Sequence, residues 1–231
     1  MRSFGLDIRR IGPGRFPDVT DFLLARHVDV VLDVGANLGW FGQRLRERGY
    51  RGKIVSFEPI EIVFRDLKAF AERDGNWETH RLALGAAAGS ALINVSRKQD
   101  YSSIRDQSRA AQRFEPTADV VRQEEIPMAR LDDLFGPFRN STVFLKIDTQ
   151  GYERPVLEGA RQALTQIVGV QLELPLVHLY KGTWSLAEAL VYMQEVGFVL
   201  AQLTPVNWLK DDPVSAVEID GVFRRRGSAD E

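Results

Sequence analysis

The chain has no cysteine and only three histidines among its 231 residues. The absence of cysteine excludes disulfide bonds, thiolate metal sites and thiol nucleophiles, and it fits a reducing compartment. The chain also has no run of about 18 apolar residues and no signal-peptide pattern at its start. We therefore expect a cytoplasmic protein without a membrane span.

The chain has no strong excess of charge either, since 30 lysines and arginines are nearly balanced by 32 aspartates and glutamates, for a net charge of −2. This balance provides no general attraction to nucleic acid or to an anionic membrane. An Asn/Asp-Pro-Pro-Tyr motif, typical of enzymes that modify nucleic-acid bases, is absent. We therefore expect no nucleic-acid partner.

What the chain does contain is a βαβ pattern near its start. The apolar run of residues 30–34 includes Asp33 and leads into a turn with Gly35 and Gly39; an amphipathic helix follows, and a second apolar run ends at Glu58. Such a unit is typical of a nucleoside site. The glycines let the backbone pass close to a ligand, and an acidic residue at the second strand's end can accept hydrogen bonds from both ribose hydroxyls.

The turn also indicates which cofactor the site takes. A dinucleotide fingerprint would read G-x-G-x-x-G, but Asn37 stands two positions after Gly35. The carboxylate of Asp33 disfavours a pyrophosphate and suits the sulfonium and ammonium of S-adenosylmethionine. An NAD-dependent oxidoreductase is the alternative, although Asn37 and the lack of a Tyr-x-x-x-Lys motif count against it. A third hypothesis is a non-catalytic protein that retains the cofactor fold.

Apolar periodicity and turn residues predict the other elements. Residues 1–27 form an irregular arm with a short helix near its end, residues 28–231 form one domain, and the polar segment 96–123 is an insert or lid. We predict strands at 29–34, 53–57, 77–84, 91–95 (a hairpin partner of the preceding strand), 143–148 and 168–174, and helices at 18–26, 40–49, 60–70, 104–114, 152–164 and 185–197.

The order of these elements predicts an α/β fold. Helices separate most of the strands, which favours a mainly parallel sheet with helices on both faces. The last two apolar runs, Phe198–Leu203 and Val217–Phe223, have no helix between them. Consecutive strands without a crossover pair antiparallel, so one end of the sheet should be antiparallel.

Four segments of the chain resemble the FkbM family of S-adenosylmethionine-dependent methyltransferases, in the family's order: Leu32–Gly39, Phe57–Pro59, Leu145–Glu153 and Leu179–Gly182. The resemblance implies a Rossmann-like class I methyltransferase fold with a seven-stranded, mainly parallel sheet and an antiparallel last strand. It also implies O-methylation of a sugar or natural-product hydroxyl, so the expected partner is a small-molecule or glycan acceptor. One departure is Gln150, where the family usually has glutamate.

The cofactor should contact the first turn, the end of the second strand, the third strand and the start of the insert. The segment Tyr101–Ser103 matches a small-residue stretch common in the family, although helix capping alone would explain it equally well. The residues that we assign to S-adenosylmethionine are Asp33, Gly35, Ala36, Asn37, Gly39, Glu58, Pro59, Ala83 and Ser103.

Methyl transfer to a hydroxyl requires an oxygen held in line with the methyl group and a group that takes its proton. Asp148 is the leading candidate base because it follows a core strand, and Glu173 is the same kind of residue one strand later. The alternative is that backbone N–H groups satisfy both carboxylates. They could also bind a divalent cation such as Mg²⁺, so metal dependence is open. His178 is the candidate imidazole base, unless it is a solvated loop residue.

The acceptor site is predicted from basic and aromatic residues. If residues 104–114 are helical, Arg105, Arg109 and Arg113 recur every four residues and form one basic face. Such a face could hold the carboxylate or phosphate of an anionic acceptor such as a uronic acid, and the alternative is a solvated helix surface. Tyr180 lies in the expected substrate loop. The Asp132-Asp133 pair is interpreted as a helix cap rather than a metal site.

Overall fold

The computed structural model describes residues 17–227, so the predicted irregular arm over residues 1–15 lies outside the described residues. The described helices are α1 (Val19–Ala25), α2 (Trp40–Glu47), α3 (Glu61–Ala71), α4 (Arg109–Phe114), α5 (Leu131–Leu134), α6 (Glu153–Glu158) and α7 (Leu186–Glu195). None of these helices is long and apolar enough to cross a membrane.

The ten strands of the described residues form two sheets. They are β1 (Val30–Val34), β2 (Lys53–Phe57), β3 (Trp77–His80), β4 (Ala83–Leu84), β5 (Gly89–Ser96), β6 (Val120–Ala129), β7 (Val143–Ile147), β8 (Ile167–Pro175), β9 (Phe198–Trp208) and β10 (Ala216–Arg225). Short 3-10 turns lie at Gln99–Tyr101, Gly136–Phe138 and Ala163–Thr165.

The main sheet has seven strands in the order β3-β2-β1-β7-β8-β10-β9. The pairings from β3 through β8 are parallel, and β10 is antiparallel to both β8 and β9. Every residue of β1 and β7 is buried, which is expected of central parallel strands covered on both faces. The predicted fold class, with an antiparallel last strand, is confirmed.

The prediction of one strand over residues 77–84, with a hairpin partner at 91–95, is wrong in detail. Residues 77–84 divide into β3, which belongs to the main sheet, and β4, which pairs with β6 in a three-stranded sheet. The strand β5 is not paired with either of them but with β6. Six of the ten residues of β6 are exposed, and residues 122–125 in its middle are all polar, which explains why no apolar alternation identified it as a strand.

Two helices are shorter than predicted. The helix expected at 104–114 begins only at Arg109, because Ser108 is the residue whose side chain accepts the N–H groups of Ala110 and Ala111. The helix expected to reach residue 164 ends at Glu158. Gly159 follows it, and a Cβ atom there would lie 1.9 Å from the carbonyl oxygen of Gly85.

The core lies on both faces of the main sheet. One face packs against α6 and α7, and the other packs against α1, α2 and α3. On the second face, Trp77 fills the space beside two glycines, and its indole N–H donates to the hydroxyl of Ser56 at 3.0 Å. A Cβ atom at Gly42 of α2 would lie 2.3 Å from the Trp77 ring. The ring is 8 % exposed and has little room to move.

Gly42→Ala tests this contact. Alanine favours a helix over glycine by about 1 kcal/mol, but overpacking a buried ring costs about 1–3 kcal/mol. At 2.3 Å the overlap is severe, so the cost should lie in the upper part of that range. Less the gain in helix propensity, we expect the free energy of unfolding in urea to fall by about 1–2 kcal/mol. Gly136→Ala is the control, since no atom lies within 4 Å of the position that a Cβ atom would take there. If both variants matched the wild type, the packing argument would be wrong.

Candidate active site

A cavity of about 1420 Å³ opens at the carboxyl ends of the parallel strands β1, β2, β7 and β8. Ligands of open α/β sheets bind at this edge. The residues that follow these strands, Gly35, Glu58 and Asp148, all line it, together with Glu173 near the end of β8. The cavity continues past α1 and α2 toward β9 and β10. The strand ends that the sequence singled out therefore meet at one site.

The turn after β1 is shaped by contacts within the chain. Gly35 has φ +73°, and a Cβ atom there would lie 1.8 Å from the carbonyl oxygen of Asp148. A Cβ atom at Gly39 would meet the side chains of Leu67 and Trp77, and Gly39 does not line the cavity. The glycines were expected to make room for a ligand. They make room for neighbouring segments of the protein itself.

Glu58 lies at the wall of the cavity and is 5 % exposed. Its Oε2 accepts the N–H of Asn37 at 3.0 Å, and its Oε1 accepts the N–H of Ile60 at 2.9 Å. Burial raises the pKa of Glu58 to about 7, although the two backbone N–H groups and Lys146 act in the opposite direction. Each carboxylate oxygen has two acceptor positions, so one on each is available to a ligand hydroxyl.

Asp33 does not line the cavity, because its side chain is completely buried. Its Oδ2 accepts the hydroxyl of Ser56 at 3.2 Å, and its Oδ1 lies 3.2 Å from the Nζ atom of Lys146. The two charges form a neutral pair. The expected direct attraction between Asp33 and a cationic cofactor is therefore wrong, since the protein supplies the cation.

Lys146 is a site residue that the sequence reasoning missed. Its Nζ atom donates to the carbonyl oxygen of Gly35 at 3.2 Å and lies 3.5 Å from the carboxylate of Asp148. Burial alone would lower the pKa of Lys146, but Asp33 and Asp148 raise it above its usual range, so the ammonium stays charged. A lysine inside the otherwise apolar strand β7 was the signal that could have identified it.

The remaining residues assigned to the cofactor divide into two groups. Ala36, Asn37, Pro59 and Ala83 line the cavity. Ser103 lies behind its wall, where its hydroxyl donates to the backbone carbonyl of Gln150 at 2.7 Å. The sequence reasoning also missed Asp100, which lines the cavity and accepts the side-chain amide of Asn37 at 3.1 Å.

At the other end of the cavity, one amide joins two carboxylates. The side-chain nitrogen of Gln150 donates to Oδ1 of Asp148 at 3.0 Å and to Oε2 of Glu173 at 2.8 Å. Burial and the charges of Asp148, Glu218 and Asp220 raise the pKa of Glu173 well above its ordinary value. The alternative was that backbone N–H groups satisfy both carboxylates. The two oxygens that Gln150 contacts accept from a side-chain amide instead.

Two further acids of β10 face the same space and were not expected from the sequence. Glu218 and Asp220 line the cavity. Burial raises the pKa of Glu218 to about 7 and that of Asp220 to about 6, and Asp148 adds to both shifts. These residues come from a strand that is remote in sequence from Asp148, so only the pairing of β10 with β8 brings them to the site.

His178 and Tyr180 do not line the cavity. His178 is exposed, and its Nδ1 lies 2.8 Å from the hydroxyl of Thr183. Tyr180 is buried, and its hydroxyl donates to Oε1 of Gln150 at 2.7 Å. The structure therefore places His178 on the surface and Tyr180 behind Gln150, rather than where either would touch an acceptor in the cavity.

The prediction of a basic face on the helix at 104–114 is wrong. Because α4 begins at Arg109, Arg105 is not on that helix, and neither of these arginines lines the cavity. The guanidinium of Arg105 lies over the ring of Tyr152 instead. Asp132 accepts the N–H groups of Gln162 and Ala163, so it caps the turn that follows α6 rather than its own helix.

The expected divalent cation has no support in this geometry. Among residues 17–227, no group of three or more histidine, aspartate and glutamate side chains is placed to hold a metal ion. Asp148 and Glu173 approach a common point, but the amide of Gln150 already lies there. Mg²⁺ is commonly held by one or two carboxylates and completes its octahedron with water, but the NH₂ group between these two carboxylates has no lone pair to offer a metal ion, so the donor set does not fit a bridging Mg²⁺.

The sheet order and the cavity at its carboxyl edge define the class of fold, the Rossmann-like fold of class I methyltransferases. The sequence pattern of the methyltransferase FkbM domain matches residues 33–200. The chain therefore belongs to the FkbM methyltransferase family, and the resemblance stated from the sequence is confirmed.

Two known proteins are similar to this chain. The protein "Methyltransferase 1" of Beauveria bassiana (strain ARSEF 2860) is 22 % identical over 195 residues, which cover 79 % of this chain and 76 % of the relative. The crystal structure of methyltransferase FkbM from Methylobacillus flagellatus KT superposes with a TM-score of 0.52 and 15 % identity. The match covers 84 % of this chain but only 43 % of that longer chain, and it is a likeness of fold.

Lys146→Met tests the buried ion pair. The variant leaves the carboxylate of Asp33 buried without its charged partner, and we expect the free energy of unfolding in urea to fall by about 3–5 kcal/mol. Asp33→Asn introduced into the same variant removes the uncompensated charge and should recover part of the loss. A loss below about 1 kcal/mol for Lys146→Met would contradict the assigned role of the pair.

Proposed function

We propose that the protein is an S-adenosylmethionine-dependent O-methyltransferase that methylates a hydroxyl of a sugar, a glycan or a glycosylated natural product. The observation that carries the proposal is that Glu58 and Asp148 line one cavity. Glu58 is the acid that would bind the ribose, and Asp148 is the acid that would take the acceptor's proton. Membership in the FkbM methyltransferase family supports the reaction type.

The residues around Glu58 fit the cofactor. The free acceptor positions of Glu58 suit the ribose hydroxyls, and Ala36, Pro59 and Ala83 offer small or rigid surfaces beside it. Asn37 and Asp100 are joined by a hydrogen bond at the same wall. When bound, S-adenosylmethionine supplies a methyl group made reactive by the positive charge on its sulfur.

The charge of the cavity also favours a cationic cofactor. Nine acidic and four basic side chains line it, and opposite charges attract strongly where water is partly excluded. Burial raises the pKa of Glu58, Glu173, Glu218 and Asp220, which reduces the excess of negative charge without removing it. The acidic side chains belong to Asp18, Asp21, Glu47, Glu58, Asp100, Asp148, Glu173, Glu218 and Asp220, and the basic ones to Arg44, Arg48, Lys98 and Lys146.

Asp148 is suited to accept the proton of the acceptor hydroxyl. Lys146 and Gln150 hold its carboxylate, yet about a third of its side chain, 36 %, stays exposed. Asp148 would take the proton of the acceptor hydroxyl as its oxygen takes the methyl group from the sulfur of the bound cofactor. A positioned base of this kind contributes about 10²- to 10⁴-fold to a rate.

The lining supports a neutral, hydroxyl-rich acceptor. Gln171, Gln202, Thr204 and Asn207 offer hydrogen-bond donors and acceptors along the part of the cavity near β8, β9 and β10. Polar groups of this kind recognise hydroxyl groups by hydrogen bonding. An anionic acceptor such as a uronic acid lacks the support that Arg105 was expected to provide.

Glu58→Ala tests cofactor binding. Losing charge-assisted hydrogen bonds should weaken S-adenosylmethionine by about 1–3 kcal/mol, measured by calorimetry. The ribose-binding form is the carboxylate, and the pKa of Glu58 is about 7. Affinity should therefore rise as the pH rises from 6 to 8, and this rise should be smaller in Glu58→Gln. Unchanged affinity in the alanine variant would contradict the role assigned to Glu58, and competition by NADH would favour the oxidoreductase alternative.

Asp148→Asn tests the chemical step. Transfer of tritium from labelled S-adenosylmethionine would be measured against a panel of sugars, nucleotide sugars, uronic acids and oligosaccharides. On the acceptor that is methylated, the variant should lose about 10²-fold or more in kcat while its cofactor affinity changes little. Asp211→Asn, an exposed position outside the cavity, is the control.

The same assay separates the proposal from a non-catalytic role. Cofactor binding without transfer to any acceptor of the panel would favour a cofactor-binding protein. Near-wild-type turnover of Asp148→Asn would remove that residue from the mechanism.

A further inference from the structure

Gln150 has an unusual position for a glutamine. Its backbone is left-handed, with φ +55°, a conformation that residues with a side chain adopt at some cost and that clusters at functional sites. The hydroxyl of Ser103 donates to its carbonyl oxygen at 2.7 Å, which helps to hold this conformation. The side chain lines the cavity between β7 and β8.

The orientation of the Gln150 amide is determined by its neighbours. The hydroxyl of Tyr180 donates to Oε1 at 2.7 Å, and burial raises the pKa of Tyr180 far above its usual range, so the phenol keeps its proton. With Oε1 occupied in this way, the NH₂ group faces the carboxylates of Asp148 and Glu173. Both hydrogens of that group can then be donated at once.

We infer that Gln150 is a positioning residue of the acceptor site. Its amide lies between the carboxyl groups of Asp148 and Glu173, where a bridging cation would otherwise lie, and holds both of them in place. This inference rests on the proposed role of Asp148 as the base. The NH₂ group has no lone pair to offer a metal ion, so it takes the cation's place without adding charge.

The electrostatic setting explains why such a group is needed. Asp148 and Glu173 share the cavity end with other acids, and Lys146 is the cation beside them. Burial and the repulsion among these acids raise the pKa of Glu173, and a donor between Asp148 and Glu173 offsets part of that repulsion. The groups that act electrostatically on this pair come from several elements: Lys146, Glu153, Tyr180, Glu218 and Asp220.

Gln150→Glu is the sharpest test. The variant changes the donor into a third carboxylate beside Asp148 and Glu173, and additional oxygen ligands tighten the binding of divalent cations. Mn²⁺ binding to the full chain would be followed by electron paramagnetic resonance. We expect the wild type to bind weakly and the variant about tenfold more tightly or better. Gln194→Glu, the same change at an exposed position of α7, should behave like the wild type.

Two further variants make the metal test specific. Adding Asp148→Asn to Gln150→Glu should abolish the gained Mn²⁺ binding. Gln150→Ala removes the amide without adding charge, and it should bind Mn²⁺ better than the wild type even if the glutamate variant folds poorly. The inference would be overturned if the wild type bound Mn²⁺ as tightly as Gln150→Glu does and lost this binding in the single variant Asp148→Asn. Equal binding by the wild type, Gln150→Glu and Gln150→Ala would overturn it too.

A kinetic measurement tests the positioning role separately. On an acceptor methylated in the panel assay, Gln150→Ala should lower kcat by about 10- to 100-fold, because small displacements of a catalytic group are costly. The acceptor KM and the affinity for S-adenosylmethionine should change by less than about twofold. An unchanged kcat would overturn the inference and leave the proposed function intact. A panel without any methylated acceptor would count against the proposed function, while the Mn²⁺ result would still decide whether the amide occupies the cation's place.

Discussion

The buried ion pair between Lys146 and Asp33 is the interaction on which the site depends. It links the two central strands of the sheet, β1 and β7. The same ammonium also contacts the carbonyl oxygen of Gly35 and the carboxylate of Asp148, so it joins the cofactor turn to the candidate base. Two charges buried apart would each cost several kcal/mol. Placed together, they cancel each other's charge and leave the other carboxylates of the cavity to act on ligands.

The acids around the cavity differ in their surroundings, and this difference separates their roles. Glu58 is held by two backbone N–H groups, in a position suited to binding a ligand without moving. Asp148 is held by a lysine and an amide and remains partly exposed, as a base must be. Glu173 lies deeper among like charges, and its raised pKa favours the neutral form. Such differences in surroundings let neighbouring carboxyl groups take different tasks.

Gln150 is the position at which this candidate site departs from the family pattern. Where the family usually has a glutamate, the amide of Gln150 links Asp148 and Glu173, and Tyr180 fixes its orientation. The candidate residues His178 and Tyr180 were placed near the acceptor because they follow β8, but proximity in sequence does not decide which side chains reach a cavity. Tyr180 does not line the cavity but contacts Gln150, which does, and His178 lies on the surface.

The sequence by itself determined the α/β class, the parallel strands and the acids at their ends. These features depend on local periodicity and on the rule that strand ends of a parallel sheet share one edge. The sequence could not determine the partner of Asp33, the β5–β6 pairing or the arrival of Glu218 at the site, since each joins segments far apart in the chain. It also misplaced the start of α4, where capping by Ser108 competes with an apparent capping pattern at Ser103. Such contacts form only when the whole chain is packed, so the tertiary structure alone decided them.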